Sequence, residues 1–265
     1  MRADSRDCLI LGLAAGYHFG DLRPFAASLA ASGFAGRCVL LVSATTREAE
    51  KLAGFGITPL RFAPPKPLAH LPVNALRYFL YLEVLRQQKQ AFRRILLTDV
   101  RDVVFQADPF SFPWREGLSV ALEHGGRTVG DCPYTSRWVR GHLGEGVLAT
   151  LAKKPVSCSG STVGSQAAML EYIVKMIALL LPFTPGPHMA GYDQGVHNQL
   201  LHAGAIPSAT AYDSAGPILT LGWRQDPPPQ DSQGNILNDA GVPAHIVHQY
   251  DRHPGLHQAV RERWA

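Results

Sequence analysis

The chain has 265 residues, of which 46% are hydrophobic and 17% are charged. This length and balance are typical of one globular domain with a sizeable core. The formal net charge of +4 is scattered along the sequence, and no basic run is interleaved with aromatic residues. The composition therefore argues against nucleic acid as a partner, whereas a mild positive balance suits phosphate-bearing small molecules.

The cysteine pattern and the apolar runs indicate the compartment. The four cysteines are far apart and lack the spacing of metal fingers: Cys8, Cys38, Cys132 and Cys158. We expect reduced thiols, as in a reducing compartment. The N-terminal segment is too short and too acidic for a signal peptide, and no stretch reaches transmembrane length. We predict a soluble cytoplasmic protein, which could still contact a membrane surface peripherally.

The first 62 residues predict alternating strands and helices. The first strand ends at Gly16-Tyr17, and Asp21 and Gly33 are the expected N-cap and stop of the helix that follows. The predicted elements are a strand over Cys8–Ala15, a helix from Leu22 to Leu29, a strand over Arg37–Val42, a short helix over Thr46–Leu52 and a strand over Pro59–Phe62. This β-α-β-α-β order favours a parallel sheet of the nucleotide-binding kind.

A central strand ending in two carboxylates is the most informative stretch. The apolar run Ile95–Leu97 predicts a strand that is covered on both faces, and Asp99 and Asp102 follow it. Ligands bind at the carboxyl ends of strands in open α/β sheets, so this pair could hold a hard divalent cation with a phosphorylated ligand. The alternative is a plain turn in which Arg101 is a local salt-bridge partner.

The remaining elements complete an α/β pattern with helices on both faces of a mostly parallel sheet. A helix capped by Asn74 and ending near Gln88 precedes the central strand. After it we predict strands over Leu118–Leu122 and Val156–Val163, helices over Leu170–Leu181 and Asp193–Leu201, and strands over Ile218–Leu221 and Ala244–Val247, the last delivering His248. Two segments read as loops, a functional one with one short helix over Glu123–Gly146 and a mobile one over Asp226–Asn238.

Four stretches carry the polar residues that chemistry would need: Thr98–Asp102, Val156–Ser161, Gly191–Asn198 and Ile246–His253. Their order resembles that of the GT-A-type nucleotide-diphospho-sugar glycosyltransferases, whose DxD motif follows a central strand. Asp193-Gln194-Gly195-x-x-Asn198 is similar to the DQGxxN stretch of the glycogenin-like retaining enzymes, and His248 resembles their late metal-binding histidine. The resemblance implies a single GT-A-like (Rossmann-like) domain over 1–265, with a nucleotide-binding half (1–110) and a donor-sugar and acceptor half (111–265).

The resemblance implies a divalent metal, Mn or Mg, held by Asp99, Asp102 and His248. The imidazole slightly favours manganese, and the ion would act as a Lewis acid on the departing diphosphate. The family pattern is Asp-x-Asp, whereas this chain has Asp99-x-x-Asp102. Either the strand end carries an extra residue, or Asp102 is structural and only Asp99 meets the metal. Arg101 could replace part of the metal's charge, because a guanidinium binds phosphate oxygens in pairs.

The resemblance implies that four further groups of residues contact the donor: Ala15 to Tyr17, Arg77, Ser159 with Gly160, and Asp193 with Gln194. Ala15, Gly16 and Tyr17 lie where this fold seats the base and ribose, and their spacing is not that of a dinucleotide fingerprint. Arg77 would add a cation if its helix faces the site; otherwise it is a solvent-facing helix residue.

Ser159 and Gly160 would offer groups to sugar hydroxyls, the alternative being a β-bulge. Asp193 and Gln194 are the predicted catalytic residues beside the donor sugar, although Asp193 could instead be a helix N-cap. We expect His197 to be a packed histidine, and His253 and His257 to lie on the surface.

The predicted function is transfer of a sugar from a nucleotide-diphosphate sugar to a hydroxyl acceptor, which could be a glycan, a lipid-linked glycan or a protein. Retention of configuration is favoured by the resemblance and by the lack of a clear general base. A nucleotidyltransferase is an alternative, but Leu13–Gly20 has no lysine or arginine for its phosphate loop. A metal-dependent phosphoesterase would need more His and Asp ligands early in the chain. A non-catalytic nucleotide-sugar-binding module of the same fold is the alternative that the altered DxxD spacing supports.

Overall fold

A mixed seven-stranded sheet forms the centre of the protein. The structure is a computed structural model that describes residues 4–206 and 208–265. The strand order in the central sheet is β3-β2-β1-β4-β7-β6-β8, and a second sheet has the order β5-β10-β9. The strands are β1 Cys8–Ala14, β2 Arg37–Val42, β3 Ile57–Arg61, β4 Arg94–Thr98, β5 Val103–Phe105, β6 Leu118–Leu122, β7 Ser157–Gly164, β8 Ala209–Tyr212, β9 Ile218–Thr220 and β10 Ile246–His248.

Helices cover both faces of the central sheet, as predicted. They are α1 Phe19–Ala31, α2 Val73–Arg86, α3 Pro133–Leu143, α4 Glu145–Leu151, α5 Gln166–Leu180, α6 Tyr192–His202 and α7 Pro254–Arg263, with 3-10 turns at Ala49–Phe55, Lys66–Leu68, His124–Gly126 and Tyr250–Arg252. Side chains alternate across a strand, so Ile10 joins the core beneath α1 while Leu9 and Leu11 join the core beneath α2 and α5. No helix in the described ranges has both the length and the hydropathy that crossing a bilayer requires.

The parallel character of the sheet is confirmed for one half only. Strands β3, β2, β1 and β4 are parallel to one another, whereas β7 runs antiparallel to both β4 and β6. Strand β8 is parallel to β6. The first half follows the predicted β-α-β-α-β order, in which crossovers force parallel pairing. Strand β7 returns between β4 and β6 from the opposite direction, so the second half is mixed.

Several predicted element starts are wrong because local capping differs from the simplest sequence signal. Asp21 is not the N-cap of α1. His18 is the cap, its Nδ1 accepts from the Gly20 N–H at 3.0 Å, and the Asp21 carboxylate accepts from the His18 N–H at 3.0 Å. This is a capping box in which Asp21 takes the third helical position. Helix α2 begins after Pro72, so Asn74 is not its cap.

The other corrections concern short elements. The predicted helix over Thr46–Leu52 is a 3-10 turn over Ala49–Phe55. The segment Glu123–Gly146, predicted as a loop with one short helix, contains the eleven-residue helix α3 and also the start of α4. Strands β5 and β8 were not predicted, because a three- or four-residue strand is too short for a periodic signal. Helix α7 was not predicted either; it buries only Leu256 and Val260, which is a weak apolar stripe.

The small second sheet fixes the position of His248. Strand β10 pairs antiparallel with β5, with His248 opposite Val103, and it pairs in parallel with β9. The Gln249 N–H donates to the Asp102 carbonyl at 2.7 Å. Because Asp102 immediately precedes β5, this pairing brings the end of β10 to the end of β4.

His197 is a packed histidine, as predicted, and it makes stability depend on pH. Its ring nitrogens lie 2.8 Å from the Tyr172 hydroxyl and 2.9 Å from Ser157 Oγ. Burial lowers its pKa to about 3. In the unfolded chain this imidazole takes up a proton near pH 6.5, whereas in the folded chain it stays neutral at that pH. The free energy of unfolding therefore decreases as the pH falls below 6.5.

We expect His197→Gln to cost less stability at pH 5 than at pH 7, by roughly 2 kcal/mol, since each pKa unit corresponds to about 1.4 kcal/mol. Urea unfolding of both proteins at the two pH values measures the difference. An equal cost at pH 5 and pH 7 would show that His197 titrates normally in the folded state.

Candidate active site

Seven of the predicted site residues meet at the point where the strand order of the sheet reverses, between β1 and β4. Asp99 directly follows β4, Ala15 directly follows β1, and a cavity of about 300 Å³ opens between them. Crevices at this position are the usual ligand sites of open α/β sheets. The cavity is lined by seven of the predicted residues: Ala15, Tyr17, Arg77, Asp99, Arg101, Asp102 and His248.

Asp99, Asp102 and His248 offer ligand atoms that all lie within 4.8 Å of one another. His248 Nε2 is 3.4 Å from Asp99 Oδ2 and 3.7 Å from Asp102 Oδ1. This nitrogen is buried and makes no hydrogen bond to any residue in the described part of the chain. A buried nitrogen without a partner, facing two carboxylates, fits a divalent cation, and the donor set suits manganese or magnesium.

The two residues between the aspartates do not prevent the carboxylates from meeting. The Asp99 N–H donates to the Gly160 carbonyl at 2.7 Å, which ties the end of β4 to β7. Val100 turns inward and is buried against Gly12, whereas the side chain of Arg101 is half exposed. The chain thus makes a turn after Asp99, and Asp102 comes back to face the same cavity.

The protonation of this cluster reflects its burial and its neighbours. Burial acts to raise the pKa of Asp99, but Arg77 and His248 outweigh it and hold that pKa well below its usual range. Burial, opposed by His248 and reinforced by Asp99, raises the pKa of Asp102. Burial would lower the pKa of His248, but Cys158, Asp102 and Asp99 raise it well above normal. A metal would take the place of the His248 proton, because a ligand imidazole must be neutral.

Arg77 is buried at the centre of the site, so the solvent-facing alternative is wrong. Its Nη1 lies 2.5 Å from Asp99 Oδ1, and its Nη2 lies 2.8 Å from Asp193 Oδ2. Nη2 also donates to the Ser159 carbonyl at 3.3 Å. One guanidinium therefore joins α2, the end of β4, β7 and α6, and it places Asp193 beside the metal-ligand cluster.

Gly160 is required by close packing and not by contact with a sugar alone. A Cβ on Gly160 would lie 2.2 Å from His248 Cε1 and 2.8 Å from Asp99 Oδ2. The register of β7 against β6 also shifts here, passing from Val120–Thr162 to Ala121–Cys158, which is the β-bulge of the alternative interpretation. Ser159 Oγ donates to Asp193 Oδ2 at 3.3 Å, so Ser159 supports a neighbouring carboxylate.

We expect Gly160→Ala to weaken Mn²⁺ binding by at least about tenfold, since displaced or unsupported ligands typically cost 10–100-fold. Isothermal titration with MnCl₂ measures the affinity. Gly54→Ala is the matched control, because a Cβ there meets no atom within 4 Å. Wild-type Mn²⁺ affinity in Gly160→Ala would show that the ion does not sit between Asp99 and His248.

The DQGxxN stretch separates into residues with different tasks. Asp193 follows the first residue of α6, whose N-cap is Gly191, so the N-cap alternative is wrong. Burial raises the pKa of Asp193, and Arg77 opposes this. Gly195 permits close approach of α6 to α3, where a Cβ would lie 3.2 Å from the Val139 nitrogen. Asn198 pairs with the Ser157 backbone, accepting from its N–H and donating to its carbonyl at 2.8 Å each.

Gln194 faces a second cavity of about 520 Å³, which shares Gln249 and Arg252 with the first. Its Nε2 donates to Thr135 Oγ1 at 3.2 Å. The structure therefore separates the two residues: Gln194 lines the second cavity, whereas Asp193 is buried beside Arg77 and lines neither of these two cavities.

The remaining predicted contacts are distributed unevenly. Tyr17 lines the first cavity, whereas Gly16 is exposed, does not line that cavity, has φ +78° and donates its N–H to Ser43 Oγ at 3.1 Å. Arg101 lines the cavity but pairs with Asp251 Oδ2 at 2.6 Å, so part of its charge is already matched. His253 is buried, and its predicted surface position is wrong.

Two residues of the site carried no role in the sequence interpretation. Cys158 Sγ lies 3.6 Å from His248 Nδ1, where it orients the ring so that Nε2 faces the carboxylates. It belongs to the stretch Val156–Ser161, so its strand position was the available signal. Glu123 is buried at the end of β6, where burial, opposed by His248, raises its pKa. The one sequence signal for Glu123 was its position at the start of the predicted functional loop Glu123–Gly146.

Comparison with known proteins identifies the class of fold. No protein-family model matches the chain, and no curated protein matches it. The structure has the GT-A type of glycosyltransferase fold. It is similar to the galactosyltransferase LgtC in complex with donor and acceptor sugar analogs, at 15% identity and a TM-score of 0.56, over 97% of this chain and 93% of that one. An active-site glutamine-to-glutamate mutant of LgtC gives 13% identity and a TM-score of 0.57 over the same shares.

Proposed function

We propose that this protein is a glycosyltransferase that moves a sugar from a nucleotide-diphosphate sugar to a hydroxyl acceptor with the help of a divalent metal. The observation that carries the proposal is the buried His248 Nε2, which faces Asp99 and Asp102 without a hydrogen-bond partner among the described residues. This cluster lies at the strand-order reversal of a GT-A-type fold. In LgtC the same fold holds donor and acceptor sugar analogs.

The residues around the first cavity suit a diphosphate leaving group. Asp99, Asp102 and His248 would hold Mn²⁺ or Mg²⁺, which when bound supplies positive charge to the departing phosphate oxygens. Arg77 keeps Asp99 ionised and ready as a ligand. Ala15 and Tyr17 line the same cavity on the β1 side, where the base and ribose would lie. The half-exposed Arg101 would contact phosphate oxygens from the rim.

Asp193 and Gln194 are the proposed residues beside the donor sugar. Asp193 is 2% exposed and is held by Arg77 and Ser159, so its charge is fixed in place to oppose positive charge that develops on the sugar ring. Gln194 lines the neighbouring cavity and would contact the acceptor side of the reacting centre. A glutamine is also the residue changed in the active-site mutant of LgtC.

We propose that the anomeric configuration is retained, as in the glycogenin-like enzymes that the motif order resembles. Asp193 is engaged by Arg77 and is a poor general base or nucleophile. The acceptor would attack on the face of the departing diphosphate, and its proton would pass to the leaving phosphate oxygen. Proton NMR of the first product formed tests this directly, since an inverted anomer would exclude it.

A metal-independent nucleotide-sugar-binding module is the second candidate. The Arg77–Asp99 ion pair favours it, because a guanidinium already neutralises one of the proposed metal ligands. Such a module would bind nucleotide-sugar equally well with EDTA and would release no nucleoside diphosphate.

Thermal denaturation with a panel of nucleoside diphosphates and nucleotide-sugars, each with MnCl₂ or EDTA, tests the proposal. A ligand at 100 times its Kd stabilises a fold by about 2.7 kcal/mol, which is readily measured. We expect one nucleotide family to stabilise the protein only with Mn²⁺, and its sugar form to release nucleoside diphosphate when acceptor is added. No stabilisation by any member of the panel would overturn the proposed donor.

A further inference from the structure

A groove of three adjoining cavities leads away from the metal-ligand cluster. The first cavity, of about 300 Å³, shares Gln249 and Arg252 with the second, of about 520 Å³. The second shares Trp223 with a third, of about 560 Å³, which reaches His124 and Asp131. The proposed reaction uses only the first cavity and the near side of the second, so it assigns no ligand to the rest of the groove.

Three aromatic residues form the wall of the second cavity: Tyr134, Trp138 and Trp223. The Tyr134 ring centroid lies 6.1 Å from that of Trp138 and 5.9 Å from that of Trp223, with interplanar angles of 34° and 44°. Tyr134 is 53% exposed. Trp138 and Trp223 are partly buried beside it. Exposed apolar patches that are rimmed by polar residues commonly mark binding sites.

The tryptophans are held in place. Trp138 Nε1 donates to the His188 carbonyl at 2.8 Å, and the Trp138 ring lies so close to Gly191 that a Cβ there would be 2.5 Å away. The Arg127 guanidinium stacks 3.9 Å from the Trp223 ring. The ring faces are therefore organised before any ligand arrives, which lowers the entropic cost of binding.

Glu123 supplies a second, independent indication of a ligand. It lines the second cavity, is only 6% exposed, and its Oε2 has no hydrogen-bond partner within residues 4–206 and 208–265. A buried carboxylate oxygen without a donor is costly unless a ligand supplies one. The ligand must therefore offer a hydrogen-bond donor at the base of an aromatic wall.

We propose that this groove binds an oligosaccharide acceptor, with a sugar ring stacked on the exposed Tyr134 beside Trp138 and Trp223 and with a sugar hydroxyl donating to Glu123. A pyranose ring has a face of C–H bonds, which packs on the electron-rich face of an aromatic ring, and its edge carries hydroxyl donors. The polar third cavity would take a further sugar unit beyond Trp223. Calling the bound oligosaccharide an acceptor rests on the proposed transfer reaction, whereas its binding can be measured without that reaction.

The test is a titration of the full-length protein with galactose, lactose, maltose and maltotriose, followed by tryptophan fluorescence, in the presence and absence of MnCl₂ with UDP. We expect saturable changes and an affinity that rises from monosaccharide to oligosaccharide. Tyr134→Ala should weaken the best oligosaccharide by about tenfold, which corresponds to 1.4 kcal/mol, whereas Tyr134→Phe keeps the ring and should stay within about twofold. Glu123→Gln should weaken it about fivefold, because a charge-assisted hydrogen bond is lost.

The outcomes separate this inference from the proposed function. Equal affinity in Tyr134→Ala and Tyr134→Phe, or no response to any sugar, would overturn the acceptor groove even if nucleotide still stabilises the protein. Tighter binding of an apolar peptide than of every oligosaccharide would also overturn it. Sugar binding that is lost in Tyr134→Ala, together with no nucleotide binding in wild type, would support the groove and remove the transferase.

Discussion

Replacing His248 by alanine is expected to reduce metal-dependent sugar transfer by at least about 100-fold, since loss of charge stabilisation at a leaving group costs on this scale. Within the described residues, His248 contributes the one nitrogen ligand of the Asp99–Asp102 cluster, through an Nε2 that makes no hydrogen bond there. Without it, two carboxylates remain, and the affinity for manganese should fall more than that for magnesium, because imidazole favours manganese. Isothermal titration with both metals and a transfer assay measure the two effects.

The matched control is His245→Ala. His245 lies three residues earlier and packs edge-on against the Phe112 ring, away from the cluster. We expect normal metal affinity in that variant. If His248→Ala retained wild-type Mn²⁺ affinity while losing activity, the histidine would act on the substrate and not on the metal, and the assignment of Asp99 and Asp102 as its partners would be wrong.

The sequence predicted most strands of the central sheet and the position of Asp99 and Asp102 at a strand end, because both depend on local pattern and on one topological rule. A buried apolar run followed by two aspartates can only end at an edge of the sheet, and α/β sheets bind ligands at the carboxyl edge. The resemblance in motif order then added His248 from the far end of the chain. That pairing depends on β5 and β10, each three residues long, so no periodicity could have revealed it.

The sequence could not resolve roles that depend on side-chain direction. Arg77 lies on a helix whose inner and outer faces both carry apolar residues, so its burial could not be predicted. Gly160 matched both a sugar contact and a bulge, and only the neighbouring His248 ring shows that space is the constraint. Tyr134 and Trp138 lie in the stretch predicted as a functional loop with one short helix, and the sequence did not show that this helix would hold the two rings beside the site.

Loss of the Arg77 side chain should destabilise the fold strongly. Its guanidinium is the partner of the Asp193 carboxylate, which is 2% exposed, and of Asp99, whose side chain is 39% exposed. Removing one member of a buried ion pair leaves the other charge without compensation, at a cost of about 3–5 kcal/mol. Asp99 contributes little to that figure, because water and salt screen a charge that is more than a third exposed.

We therefore expect Arg77→Met to lower the free energy of unfolding by about 3–5 kcal/mol, as measured by urea denaturation at pH 7. The penalty should shrink in an Asp193→Asn background, where no buried charge is left unpaired. Arg77→Lys is the informative second variant, because an ammonium keeps the charge but cannot bridge Asp99 and Asp193 with two arms. It should recover most of the stability and little of the transfer activity.

Those three variants decide what the buried arginine is for. If Arg77→Met lowered the free energy of unfolding equally in the wild-type and Asp193→Asn backgrounds, Arg77 and Asp193 would not be coupled. The ion pair between α2 and α6 would then contribute nothing to stability. If Arg77→Lys restored activity together with stability, the charge alone would suffice. Stability without activity would mean that the two-armed geometry, which fixes Asp193 beside the metal-ligand cluster, is what the reaction requires.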